Sequence, residues 1–535
     1  MTGDLQVAVI GGGPIGLTTA LGLAHYGVPV EVFEDDAALS LDTKAGTILT
    51  RTLEVFDRYG VVDSVLAASV RLDEIGEIDR ATNVSTGGVR THLLTEDTRY
   101  PFVINIPQHH LEPILRDELD ARAPGALHMS HRLVDFRQED DHVVLVLETP
   151  DGRVERACRY LLACDGGRSF VRERLGIAVE GMTLEERYML VDLQVDLDVA
   201  HPRDYPHLAY FGDPPEWMIL GRQPPCWRFL FPLPPGAPEP TGEEMAQRAR
   251  RFIGDISDIT VLGSNVYSVH HRVAQSWQDG RIFLMGDAAH LITPMWALGL
   301  NTGVLDASNL PWRIAFVLRG WADEGLLDGY AREQAPVAIQ GSGEMAEAAR
   351  ANMARKRGIV EAMQGGDWGV AMTRGLLGVR LDVDNEGDWS MVVHGQDPAP
   401  VRVGDRIPDL PLFTQEGRQY LHDLADGRFV GLWFTDVRRH PRIPTTTHQG
   451  LVHLAVSRYD APRDSGLRDR FAFDPGARVQ ERLQVPVDTC VLVRPDGHIA
   501  YLGPFDPTTG EDPLTAAFLR ITRPAPSAAS AGGPA

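Results

Sequence analysis

Three short stretches of the chain carry residue types that could handle a phosphate and a sugar. In LQVAVIGGGPIGLTTALGLAHYGVPVEVFE, Leu5 to Glu34, the glycines Gly11, Gly13 and Gly16 fall on the G-x-G-x-x-G spacing, with Pro14 among them and Glu34 at the end. Gly11 permits a tight turn, Gly13 lets the backbone approach a pyrophosphate, and Gly16 lets the next helix pack closely. An acid at the position of Glu34 accepts hydrogen bonds from a ribose hydroxyl pair. The helix N-terminus behind the turn then faces the phosphates. The second stretch is Cys164-Asp165-Gly166-Gly167-Arg168-Ser169 and the third is Gly286-Asp287-Ala288-Ala289-His290. An Asp-Gly or Gly-Asp pair alone is an ordinary turn. Here each follows an apolar run, and open α/β sheets bind ligands at the carboxyl ends of their strands.

The elements that must position these stretches are legible in the hydrophobic pattern. Leu5 to Ile10 reads as a buried parallel strand, the following apolar stretch as a helix, and Val30 to Phe33 as a second strand. Thr52 to Tyr59 and the segment from Gln108 have helical spacing, and Val143 to Leu147 with Val154 to Cys158 forms a hairpin around Pro150-Asp151-Gly152. Tyr160 to Ala163 and Arg281 to Met285 are apolar strands that run into the second and third stretches. Between them, Gly181 to about Arg272 breaks into short strands separated by prolines, which reads as an inserted antiparallel sheet covering a ligand. Val304 to Leu318 reads as a helix, followed by a largely helical stretch to about Met372. Another unit with strands at 430–434, 451–456, 489–493 and 499–502 begins near Val403.

The chain has 535 residues, more than one hydrophobic core usually serves, so two or three domains are expected. A net charge of −23 argues against a nucleic-acid partner. No run approaches the roughly 18 apolar residues of a membrane span, and the first strand begins within a few residues, so no signal peptide is expected. A cytoplasmic protein is expected. The four cysteines contain no C-x-x-C pair, and His109 and His110 are adjacent and share no ligand face, so no metal site is suggested.

With three motifs in this order, the chain resembles the class A FAD-dependent aromatic hydroxylases, the flavoprotein monooxygenases of the p-hydroxybenzoate hydroxylase and phenol hydroxylase type. YLLACDGGRSFVRERLGI is similar to the segment that contacts FAD and the reduced nicotinamide cofactor, which assigns Asp165, Gly166, Arg168, Ser169 and Arg172. GRIFLMGDAAHLITPMWALGLNTGVLDASNLPWRIA is similar to the segment whose aspartate, here Asp287, binds the ribityl chain, with Gly299, Leu300 and Asn301 beside the isoalloxazine ring. The same resemblance places Gln108 near the flavin and Lys44 near the diphosphate. It departs from the family at Trp296, Ala297 and Leu298, where small residues and a glutamine are common.

The fold implied is α/β: a Rossmann-like FAD-binding domain with an inserted antiparallel β-sheet substrate domain, plus a thioredoxin-like C-terminal domain. The boundaries expected are 1–180 and 273–385 for the FAD-binding domain, 181–272 for the insertion, 386–402 for a linker, 403–523 for the C-terminal domain and 524–535 for a disordered tail. Without a C-x-x-C pair, that last domain serves packing or oligomerisation rather than redox chemistry.

The chemistry implied is hydroxylation of a phenolic substrate by O2 and NADPH or NADH through a flavin C4a-hydroperoxide, the cofactor carrying the difficult step. Alternatives are Baeyer-Villiger oxidation or epoxidation of a polyketide, and a flavin reductase or binding protein without oxygen transfer. Residues expected around the substrate are Tyr210, Arg222, His270 and His271 with Pro294 and Trp296, and next to them Trp217, Trp227, Arg228 and Arg272. Either Arg222 or Arg228 could bind a substrate carboxylate, and a histidine could help deprotonate the phenol. Each of these residues also has an ordinary structural use in a sheet, and the tryptophans read first as core. A homo-oligomer is compatible with the sequence.

Overall fold

The computed structural model describes residues 5–41, 46–82, 84–197, 205–212, 216–254, 258–292, 297–339, 373, 375–378, 380–383, 400–425, 427–435, 443–444, 448–459 and 470–523. Lys44, Pro294 and Trp296 lie outside the described residues, as do the helical stretch expected after 339, most of the expected linker and the tail 524–535.

Val7–Ile10 is wholly apolar and buried, which suits the middle of a parallel sheet with both faces covered. The strand order across that sheet is Gln278–Asp279, Ile282–Leu284, Tyr160–Ala163, Val7–Ile10, Val30–Phe33, Leu127–His128. All neighbours are parallel except the first pair. From Val7–Ile10 the chain passes to Val30–Phe33 on one side, and the later Tyr160–Ala163 pairs on the other. That is a topological switch point, where such sheets open a crevice at their carboxyl ends. Ile10 is in register with Ala163, and Ala163 with Leu284, so all three motif stretches leave the sheet side by side.

The helix Leu298–Leu318 starts earlier than the expected Val304, with Ala297 in a left-handed conformation at its N-cap. It packs across Pro14–His25 closely enough that a Cβ on Gly22 would stand 3.1 Å from Pro311 Cγ.

The second large sheet is bigger than the 181–272 stretch. Its order is His290–Leu291, Thr260–Ala274, Val179–Gln194, Cys226–Leu233, Met218–Gln223, Leu208–Gly212, Glu74–Asp79, Val84–Arg90. Two strands thus come from residues 74–90, and Leu208–Gly212 pairs parallel with Glu74–Asp79, so the sheet is antiparallel except at that junction. Its two faces bury different sets of side chains. Met189, Val191, Phe211, Trp227, Phe229 and Phe231 face outward under the helix Gly242–Ile253. Tyr188, Leu190, Tyr210, Trp217, Leu230 and Val269 face the parallel-sheet domain and meet Leu298 and Leu49.

The C-terminal unit is a seven-stranded sheet in the order Gly417–Tyr420, Pro411–Thr414, Phe471–Phe473, Leu451–Ser457, Phe429–Phe434, Thr489–Val493, Ile499–Pro504. It is fused to the first domain by packing. Phe429 lies edge-on to Trp312 at 5.5 Å and to Phe518 at 5.2 Å, joining one continuous core. Buried ion pairs reinforce the junction: Arg406 with Glu54, and Arg494 with Glu333 at 2.9 Å and with Asp496. No described helix is long and apolar enough to cross a membrane.

Candidate active site

At the first motif, three glycines have three different environments. Gly11 has φ +103°, and a Cβ there would lie 2.4 Å from Cys164 O. A Cβ on Gly16 would lie 1.9 Å from Gly11 O, so strand and helix are in backbone contact. Gly13 is the opposite case, since a Cβ on it would meet nothing within 4 Å. The bare backbone at Gly13 faces open space at the start of the helix Pro14–His25, which has no side-chain cap and no acid in its first turn. Its first amides have no intrahelical acceptors and point at whatever occupies that space. Glu34 accepts from the Gly12 amide and, at 2.9 Å, from the Asp36 amide. Each carboxylate oxygen keeps a second lone pair for a sugar hydroxyl.

The second motif adds a buried acid. Asp165 Oδ2 accepts from the Val171 amide at 3.1 Å, whereas Oδ1 is buried without a partner. Burial raises the Asp165 pKa, against the pull of its hydrogen bond with Ser169. A lone carboxylate oxygen there calls for a donor. Gly166, at φ +77°, has nothing within 4 Å of its missing Cβ, and Arg168 is exposed next to it. Arg172 ties this motif to the third by donating to Ala288 O and to Gly167 O, both at 2.9 Å.

At the third motif, Gly286–Ala288 forms a single tight turn with Asp287 on its exposed side. Gly303 of the long helix touches this turn, and Ile15 of the first motif fills the space between them. Asn301 is fully occupied by protein. Its oxygen accepts from the Leu49 amide at 2.9 Å and the Thr52 hydroxyl at 2.6 Å, and its amide donates to Thr47 O at 3.0 Å and Ala297 O at 2.7 Å. Asn301 therefore clamps the helix to the 47–52 segment, and its side chain has no hydrogen-bonding capacity left for a ligand. Gln108 starts the helix Gln108–Arg122 and donates to Glu112 at 2.7 Å.

These groups fit a dinucleotide: open glycine backbone at two motifs, an uncapped helix N-terminus, a buried carboxylate oxygen without a partner, and Glu34 at the sugar end. Among the described residues no cluster of His, Cys, Asp and Glu could hold a metal ion.

Strand alternation sorts the residues expected around a substrate. Tyr210 and Trp217 are on the inner face, where Tyr188 lies edge-on to Trp217 at 5.0 Å and to Tyr267 at 6.0 Å. Burial pushes the Tyr267 phenol up, so it stays a neutral hydroxyl. Tyr267, Val269 and His271 share that face, and His270 alternates to the other, 2.9 Å from the Thr183 hydroxyl. Burial, then Arg272, lowers the His270 pKa. Arg272 also reaches the Thr183 hydroxyl, at 2.7 Å.

The two arginines separate. Arg222 is in register with Trp227 on the outer face and donates to Gln223 O at 2.6 Å and Cys226 O at 3.1 Å. Arg228 is on the inner face but is held by both oxygens of Asp192, at 2.9 and 3.1 Å. Asp192 had no role in the sequence reading, and only its register opposite Arg228 reveals the pair.

Residues 4–342 match the family described as FAD binding domain, and residues 401–525 match the aromatic-ring hydroxylase C-terminal domain. Rifampicin monooxygenase of Streptomyces venezuelae is 29% identical over 93% of this chain and 95% of its own length. Para-nitrophenol 4-monooxygenase of a Pseudomonas species is 28% identical over 62% of this chain and 83% of its own. Among solved structures, a ternary complex of aklavinone-11 hydroxylase with FAD and aklavinone superposes with a TM-score of 0.78 at 26% identity, covering 98% of this chain and 100% of that one.

Proposed function

This chain belongs to the FAD binding domain family and is a flavoprotein monooxygenase of the aromatic hydroxylase class, and on that premise we propose that it hydroxylates a neutral phenolic ring with O2 and NADPH or NADH. The carrying observation is the juxtaposition of the three motif ends with the aromatic inner face of the large sheet, joined through Leu298.

When bound, FAD supplies two-electron reduction and activation of oxygen. Everything else falls to this chain's residues. Gly13 and the Pro14–His25 N-terminus take the diphosphate, Glu34 the adenosine ribose, and Asp287 and Asp165 the polar chain between. Amides at the start of Leu298–Leu318 face the ring system. Tyr188, Tyr210, Trp217 and Tyr267 wall the substrate side with apolar edges, which orients a flat ring and excludes water. His271, on the same face, would accept the phenol proton.

The arginine placement supports a neutral phenol over an aromatic acid. Arg228 is already balanced by Asp192, and Arg222 belongs to the outer layer. Matches spanning nearly the whole chain, C-terminal domain included, are to enzymes named for rifampicin and aklavinone, and they support a polycyclic substrate. The test is oxidation of NADH and NADPH by the purified protein over a panel of phenolic acids, simple phenols and polycyclic phenols, with hydrogen peroxide measured alongside. A polycyclic phenol that accelerates oxidation with little peroxide and gains one hydroxyl supports the reading. A product with oxygen inserted into a carbon–carbon bond would turn it toward Baeyer-Villiger chemistry.

A further inference from the structure

We propose that Asp306, itself held by His290, is a positioning residue for the Gly286-Asp287 turn and sets how tightly this protein holds its flavin. The inference rests on FAD binding alone and not on the substrate.

Asp306 lies on the long helix, one turn after Gly303, directly beneath the third motif. One of its oxygens, Oδ2, accepts from two donors: the Gly286 amide at 2.8 Å and His290 Nε2–H at 2.9 Å. Both side chains are 0% exposed. Trp277 stacks on the imidazole with ring centres 5.1 Å apart, and Tyr330 packs on Trp277 at 5.9 Å. A carboxylate costs free energy to bury unless donors compensate it. Here both donors belong to the motif that bears Asp287, four positions apart in sequence.

The turn needs this acceptor. Gly286 has φ +56°, and its amide opens a one-turn helix too short to satisfy it. With the amide drawn inward to Asp306, the next residue, Asp287, projects from the opposite side of the turn. Without it the Gly286 amide must seek another acceptor, and the glycine has the freedom to follow. The fraction of molecules with Asp287 correctly placed then falls, and apparent affinity falls with it. His290 contributes by holding Asp306 in the rotamer that reaches Gly286.

The experiment dilutes flavin-loaded protein and reads FAD dissociation from the recovery of free-flavin fluorescence, with thermal unfolding of each variant measured in parallel. D306A removes the acceptor and should weaken FAD binding about 10-fold or more, the scale of an unsatisfied buried amide. D306N keeps an acceptor oxygen and H290Q keeps a donor, so both should stay within about threefold of the wild type. Y330F serves as the structural comparison, because it deletes a neighbouring buried hydrogen bond, Tyr330 hydroxyl to Leu284 O at 2.8 Å, without touching the turn. It should lower the unfolding temperature and leave FAD dissociation unchanged. The proposal is overturned if D306A holds FAD as tightly as the wild type, if D306N is as weak as D306A, or if Y330F weakens FAD binding as much as D306A.

Discussion

Replacing Gly13 by alanine should separate folding from cofactor binding at a single methyl group. Gly13 has φ −73° and ψ −178°, a conformation alanine adopts without strain, and its Cβ would meet no protein atom within 4 Å. The apoprotein should therefore keep its stability to within about 0.5 kcal/mol. The methyl would stand where a diphosphate approaches the uncapped amides of Pro14–His25. Hydrogen bonds to a charged group contribute about 1.5–3 kcal/mol each. Losing one good contact of this kind weakens FAD roughly 10- to 150-fold.

Gly16 provides the contrast. Its Cβ would sit 1.9 Å from Gly11 O, and a backbone carbonyl between strand and helix cannot yield cheaply. Overpacking of that kind costs about 1–3 kcal/mol, and it falls on the apoprotein. Isothermal titration of FAD into each apoprotein, with urea unfolding of the same samples, reads both quantities. If Gly13→Ala bound FAD within about twofold of the wild type, the phosphates would not lie over Gly13. If Gly16→Ala cost no stability, the tight strand-helix contact would be refuted.

Two further outcomes follow from buried charges. Asp192→Asn leaves Arg228 buried without its counter-charge and should lower stability by about 3–5 kcal/mol, measured by urea unfolding. An unchanged midpoint would show that the pair is not closed in solution. Burial holds the His422 imidazole down at about 4, outweighing Asp409 and Glu54, while Nε2–H donates to Ile407 O at 3.0 Å at the domain junction. The folded state favours the neutral ring, so this contribution is complete above the unfolded value of about 6.5 and is lost as pH falls toward 4, at about 1.4 kcal/mol per unit. Between pH 7.5 and 5 the wild type should lose about 2 kcal/mol that His422→Gln does not lose, and parallel slopes in urea unfolding would refute this.

The parts of the fold that were legible in the sequence are those written in local pattern. Val7–Ile10, its glycine turn and Val30–Phe33 were readable because strand length, glycine spacing and the closing acid are all properties of neighbours in the chain. The strands Glu74–Asp79 and Val84–Arg90 were missed. They are polar and glycine-bearing, and pairing through Ala209 with Gly76 makes them strands. The roles of the two arginines depend on register. Trp227, expected beside the substrate, lies instead on the outer face with Phe229 and Phe231, and nothing local says that Arg222 lies opposite Trp227 or Arg228 opposite Asp192.

Asn301 shows a different limit. Its place in the third motif suggested a ligand contact, yet all of its hydrogen-bonding capacity goes to Thr47, Leu49, Thr52 and Ala297. Partners some 250 positions away in sequence are set by the topology and cannot be read from spacing. The same holds for the domain junction, where Arg406 reaches Glu54 across the chain. Its buried pairs and the Trp312-Phe429-Phe518 cluster give the C-terminal domain a packing role that its lack of a cysteine pair only hinted at.

Whether this fold transfers oxygen to a phenolic ring is read from turnover under 18O2 with NADH or NADPH and the best polycyclic phenol from the substrate panel, followed by mass spectrometry of the product. One atom of the labelled gas is expected in the product, as a new hydroxyl, for each reduced nicotinamide consumed. Reduced nicotinamide consumed with the label recovered only in hydrogen peroxide, whatever the phenol, would contradict it.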